Sequence, residues 1–110
     1  MSSKLHQFTN EVGESFRLIE EATTEGLPAF ITDLRARAVV EWRLYRIGEM
    51  SRRYRVLLKE QFPAVPWDDI IRMRHRLAHH FMRVEPHVIY VIAVVNVPKL
   101  QQALRTAANI

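Results

Sequence analysis

The chain contains no cysteine, and that absence removes disulfide staples, thiolate-bound zinc and a cysteine nucleophile together. Glycine and proline are scarce, with 3 and 5 residues, which leaves little material for long linkers and none for a glycine-rich phosphate loop. A Gly-x-Ser-x-Gly nucleophile elbow is missing as well. The longest apolar run, Val88 to Val95, is far too short to span a bilayer, and the Met-Ser-Ser-Lys-Leu-His start lacks the apolar core of a signal peptide. No membrane partner and a cytoplasmic location are the expectations.

What remains is the composition of a globular domain, 48% hydrophobic and 25% charged over 110 residues. That length supports one core, so residues 1–110 are expected to form a single domain. Lysine and arginine exceed aspartate and glutamate by 16 to 12, giving a formal charge of +4 and a pI near 10.0. The excess is concentrated. Between Arg35 and Arg55 stand seven arginines and only two acids, Glu41 and Glu49. Guanidinium groups pair bidentately with phosphate, so Arg46, Arg52, Arg53 and Arg55, with Arg76 further on, are candidate RNA-binding residues. The same pattern also fits a solvated helix face.

Periodicity predicts an all-α chain. Leu5, Phe8, Val12, Phe16 and Ile19 recur at spacings of three and four, one apolar stripe on a first helix that Glu25-Gly26-Leu27-Pro28 should end. A second helix is expected from Thr32 or Asp33 to about Gln61, roughly 40 Å long, with the stripe Val40, Leu44, Ile47, Tyr54, Leu58 and with Ser51 where a leucine would be expected. Gly48 in its middle costs about 1 kcal/mol relative to alanine, which close helix packing is expected to offset. Pro63 should stop this helix and Pro66 should open a third, to about Phe81, with Asp68 and Asp69 complementing its dipole. A fourth should follow Pro86 and a short fifth should begin near Pro98. The run His87 to Val95 has strand propensity, but a lone strand has no pairing partner. It is therefore expected as a helix that is apolar nearly all round, buried between neighbours or in a subunit interface.

The third helix carries the chemistry. Ile70, Met73, Leu77 and Phe81 share one stripe, and Arg74 falls inside it. A guanidinium on a core-facing line needs a partner or a wet cleft, and Glu49 and Glu41 are the candidate partners. His75 and His79 are four apart, as in helical zinc sites, but no carboxylate on the helix completes a third ligand, so no metal is expected. An arginine and a histidine suffice for another reaction. Histidine moves protons near neutral pH, and arginine stabilises charge building on a phosphate.

The same residues resemble a known family. Ile47-Gly48-Glu49, Pro66-Trp67-Asp68-Asp69-Ile70-Ile71, Met73-Arg74-His75-Arg76-Leu77-Ala78-His79 and Asn96-Val97-Pro98-Lys99-Leu100 agree in order and spacing with HepT-like HEPN proteins, the toxin partners of minimal nucleotidyltransferase antitoxins. The informative piece is Arg74-x4-His79, with Glu49, His75 and Phe81 as supporting positions. The resemblance implies an antiparallel HEPN bundle of four or five helices, a homodimer with Arg74 and His79 of both subunits across a cleft, and metal-independent cleavage of RNA without a cofactor. It also implies a prokaryotic pairing with a minimal (MNT-type) nucleotidyltransferase antitoxin. Where the family usually has asparagine after the motif arginine, this chain has His75. Where it usually has the tyrosine on which the transferase attaches nucleotides, this chain has Phe81. The alternative reading is a catalytically silent HEPN module that binds such a transferase.

Overall fold

A computed structural model describes residues 3–80 and 84–107, with the side chains of 78–80 and 106–107 outside the description. Every described element is helical. The first, α1 (Ser3–Thr23), buries the expected stripe of Leu5, Phe8, Val12, Phe16 and Ile19. Gly26 then turns the chain at φ 90°, a conformation without steric penalty only for glycine. A short helix that periodicity did not suggest follows, α2 (Leu27–Thr32), with Pro28 in its first turn. Its Phe30 is buried and packs at a tilt on Tyr90.

Asp33 ends α2 and caps the next helix, its Oδ1 accepting from the amides of Arg35 and Ala36 at 3.0 Å each, as capping requires. The single long helix expected to Gln61 is in fact two, α3 (Leu34–Arg53) and α4 (Arg55–Gln61), hinged at Tyr54 with φ −106° and ψ 22°. Tyr54 is held from outside the helix. Its hydroxyl lies 3.0 Å from Gln7 Oε1 and its ring meets Phe8 edge-on, so tertiary contacts override the continuous periodicity there.

Phe62 and Pro63 end α4, and α5 (Trp67–His80) returns alongside α3. The Trp67 indole donates to the Phe62 carbonyl at 3.0 Å while its ring packs edge-on against Phe8. Such a ring buries a large apolar area only when its N–H finds an acceptor. The pairings Arg46–Glu11 and Tyr54–Gln7 on one side, and Lys59–Asp68 and Gly48–Arg74 on the other, run in opposite directions along the chain. Thus α1, α3 and α5 are antiparallel neighbours, with α3 in the middle.

The run read as a helix against its strand propensity is helical. It forms α6 (Pro86–Val91), continues through a π turn (Ile92–Asn96) and enters α7 (Val97–Ala107) without a break. The short fifth helix expected to start anew at Pro98 is therefore the end of a continuous one. Pro98 offers no amide and its ring would strike the carbonyl four residues back, at Val94. Widening that turn lets the helix pass, with the Val97 amide bonding five residues back to Ile92. Ile89 and Ala93 face the core, whereas Val91, Val94 and Val95 are exposed. The run is thus buried on one side only. Among the described residues no helix is long and apolar enough to cross a membrane.

Candidate functional site

α3 and α5 approach each other closely at Gly48. A Cβ there would lie 2.3 Å from the Arg74 Cβ and 3.1 Å from its Cα, so only glycine lets the two backbones meet. This contact sets the guanidinium at the mouth of the seam, with the Arg74 side chain 20% exposed and Glu49, the next residue after Gly48, 16% exposed. Close packing does offset the mid-helix glycine, and it is Arg74 that the glycine admits.

Arg74 Nη1 stands 3.5 Å from Glu49 Oε2, long for a bond between charged groups. Glu49 is engaged more tightly by Arg52, whose Nη2 and Nε lie 2.6 and 3.2 Å from its two oxygens. Arg52 in this way holds the Glu49 carboxyl below the usual glutamate range, with the Arg74 and Arg53 charges adding to the effect. The Arg74 Nε is buried without a hydrogen-bond partner among the described residues. Arg74 is therefore positioned by shape and by a shared carboxylate, and it keeps donors for a further anion.

His79 lies in the last turn of α5, five positions after Arg74, about 7.5 Å along the axis. Its side chain and all of Phe81 lie outside the described residues. His75 is exposed on the same helix. No three histidine, aspartate or glutamate side chains among the described residues converge to hold a metal ion, a statement that does not reach the His75–His79 pair.

The candidate RNA-binding arginines do not share one track. Arg46 reaches across to α1, where its Nε donates to Glu11 Oε1 at 2.8 Å, and Arg52 folds onto Glu49. Arg53 is exposed beside Arg46, Gln7 and Asn10, around a depression between α1 and α3. Arg55 lies beyond the hinge, where it adds to the Lys59 hydrogen bond that holds Asp68 below the usual aspartate range. Arg76 is exposed on α5. Glu41, the other acid of the basic stretch, is pushed up by burial, against the pull of Arg37.

Two features escaped the sequence reading. Trp42 and Tyr45 stack on the outer face of α3, with ring centroids 5.5 Å apart. Where α3, α5 and α7 come together, a cavity of about 400 Å³ opens, lined by Leu44, Ile47, Ile70, Met73, Leu100 and Ala103 among others.

The chain is similar over most of its length to known proteins. Residues 12–107 match the family model described as ribonuclease HepT-like. The "Probable ribonuclease HepT" of Thermococcus cleftensis is 30% identical over 95 residues, 86% of either chain. The "Putative RNase MJ1380" of Methanocaldococcus jannaschii is 32% identical over 73 residues, 66% of this chain and 67% of its own. No solved structure matches significantly. With nearly the whole length matched, the chain belongs to the ribonuclease HepT-like family.

Proposed function

We propose that this protein is a metal-independent endoribonuclease that cuts RNA with Arg74 and His79, acting as a homodimer and paired as a toxin with an MNT-type nucleotidyltransferase antitoxin. The observation that carries the reading is the setting of Arg74. A guanidinium half-buried at a helix seam, admitted by a glycine and only loosely paired at 3.5 Å with Glu49, is an anion site held ready. A structural ion pair would be shorter and fully engaged.

In this reading the 2′-hydroxyl loses its proton, its oxygen attacks the adjacent phosphorus, and the bond from phosphorus to the 5′-oxygen breaks as that oxygen takes up a proton. His79 transfers the proton at one of these two oxygens. Arg74 stabilises the charge on the phosphorane-like transition state. The products then end in a 2′,3′-cyclic phosphate and a 5′-hydroxyl. The exposed valines at 91, 94 and 95 support the dimer, because contiguous apolar surface favours contact between copies.

The test is incubation with mixed RNA under chelator, followed by analysis of product ends. Cleavage is expected to persist, His79→Ala to lower the rate by about 10²- to 10⁴-fold, and Arg74→Lys to be impaired less than Arg74→Ala, because lysine keeps the charge without the planar fork. Cleavage that vanishes with chelator and returns with zinc or manganese would overturn the mechanism. Sedimentation as a monomer at micromolar concentration would remove the dimer.

A further inference from the structure

The outer face of α3 carries two aromatic rings outside the buried core, Trp42 exposed and Tyr45 partly buried. Trp42 is 54% exposed, whereas the other tryptophan, Trp67, is 2% exposed. Trp42 stacks on Tyr45 one turn later, with centroids 5.5 Å apart and planes 20° from parallel. Trp42, backed by Tyr45, therefore presents a flat π surface to solvent, which a third ring could extend.

Cations flank this surface. On a wheel of about 100° per residue, Arg35 and Arg53 fall within about 20° of Trp42, about 10 and 16 Å from it along the axis. Both are exposed, and among the described residues no carboxylate lies within ion-pair distance of either. Glu49 falls at the same angle between Trp42 and Arg53, but Arg52 and Arg74 engage its carboxylate, so the face is net cationic, and a polyanion carrying planar bases matches both the charge and the rings. Tyr45 also lies one turn before Gly48, where α3 touches Arg74. Since the two helices are antiparallel, the stacked pair is level with the stretch of α5 that follows Arg74.

We infer that Trp42 and Tyr45 form a stacking platform for an unpaired base of single-stranded RNA next to the phosphate held at Arg74, with Arg35 and Arg53 on the flanking phosphates. Bases stack on aromatic side chains with little regard to sequence, and arginines beside them track the backbone. A duplex does not fit, since its base faces are already covered by their neighbours. The inference rests on the ribonuclease reading, and it adds a binding site that this reading does not contain.

The test uses a single-stranded oligoribonucleotide and the His79→Ala variant for binding, so that no cleavage intervenes. Trp42 fluorescence is expected to be quenched on titration, while Trp67, being buried, supplies a constant background. Trp42→Ala should weaken binding about ten- to hundred-fold, and Trp42→Phe should restore most of it. In the cleaving protein the same Trp42→Ala change should raise KM and leave kcat within about threefold, as expected for binding shared by ground and transition states. An oligoribonucleotide with one abasic position at the platform should lose affinity for the Trp42 protein and lose nothing further for Trp42→Ala.

Cleavage that proceeds with binding indifferent to Trp42 would overturn the platform and leave the nuclease reading intact. Binding that depends on Trp42 without any cleavage would do the reverse. If Trp42→Ala changes the sedimenting species and not the RNA affinity, the face belongs to a contact between copies and the inference fails.

Discussion

The two flanks of α5 are built by opposite rules. Toward α3, glycine at 48 brings the backbones into contact and Glu49 meets Arg74 at once beyond it. Toward α7, beyond Leu44 and Ile47 of α3, side chains stop short of one another and leave a cavity of about 400 Å³. The flank with no slack is the one that positions a charge. Packed interiors transmit strain because few voids absorb it, so the Gly48 contact fixes where the Arg74 side chain leaves its helix, whereas a change in α7 is absorbed in the cavity before it reaches that contact.

The sharpest way to break this comparison is a methyl group at the seam. Gly48→Ala puts a Cβ 2.3 Å from the Arg74 Cβ and 3.1 Å from its Cα, and a backbone atom cannot swing aside. Overpacking of this kind costs about 1–3 kcal/mol, and cleavage should fall further than stability does because Arg74 is displaced. Gly13→Ala is the control. Nothing lies within 4 Å of a Cβ at Gly13, and alanine in a helix interior is favoured by about 0.5–1 kcal/mol. Denaturant titration should move the two midpoints in opposite directions.

The seam was partly readable in the sequence. Gly48 in a long helix and Arg74 on an apolar stripe both asked for close packing and a partner, and each is found with the other, with Glu49 between. Elements that follow from local pattern were equally plain, such as the α1 stripe and the stop at Pro63. What was not legible has nonlocal causes. Tyr54 interrupts a helix because Phe8 and Gln7, far back in α1, hold it, and Arg46 pairs with Glu11, 35 residues away. The π turn follows from how the chain carries Pro98 inside a helix rather than stopping at it. Trp42 was unremarked because a lone tryptophan on a polar face gives no periodic signal until Tyr45 stacks on it.

A smaller effect is expected from Glu49→Gln, which keeps the shape and removes the charge that both Arg52 and Arg74 face. Cleavage should fall by about tenfold, the low end of what a hydrogen bond between charged groups supplies. If Glu49 positions Arg74, Glu49→Asp should recover part of the loss. The stability sign is also fixed. The Glu49 carboxyl is lowered in the folded state, chiefly by the Arg52 hydrogen bond, so its contribution is present above the ordinary glutamate value and is lost as pH falls through the lowered one. Thermal melts from neutral to acid pH should show the wild type losing more stability than Glu49→Gln, and parallel curves would discard the coupling.

On the slack flank, substitutions should be mild or favourable. Ala103 borders the cavity and is partly buried, and leucine is nearly as good a helix former as alanine. Ala103→Leu should gain about 0.5–2 kcal/mol, as cavity filling commonly does, with cleavage unchanged. A loss of stability would mean that the α7 flank is as closely fitted as the α3 flank, and the contrast would disappear.

The smallest effect concerns Glu41, two turns before Glu49 on the same helix and shifted the other way. Burial raises its carboxyl, and the nearby Arg37 only partly offsets this. A carboxyl raised in the folded state binds its proton more tightly there than in the unfolded chain, so stability falls as pH rises from the ordinary glutamate value to the raised one. At neutral pH the charged form carries that cost in full. Glu41→Gln removes the charge, so the variant should be slightly more stable than the wild type at neutral pH, and the gap should close on acidification below the ordinary value. Glu49→Gln should show the opposite pattern, with a deficit at neutral pH that closes on acidification. If both variants are less stable than the wild type at neutral pH, burial does not dominate at Glu41, and Arg37 holds that carboxylate as Arg52 holds Glu49.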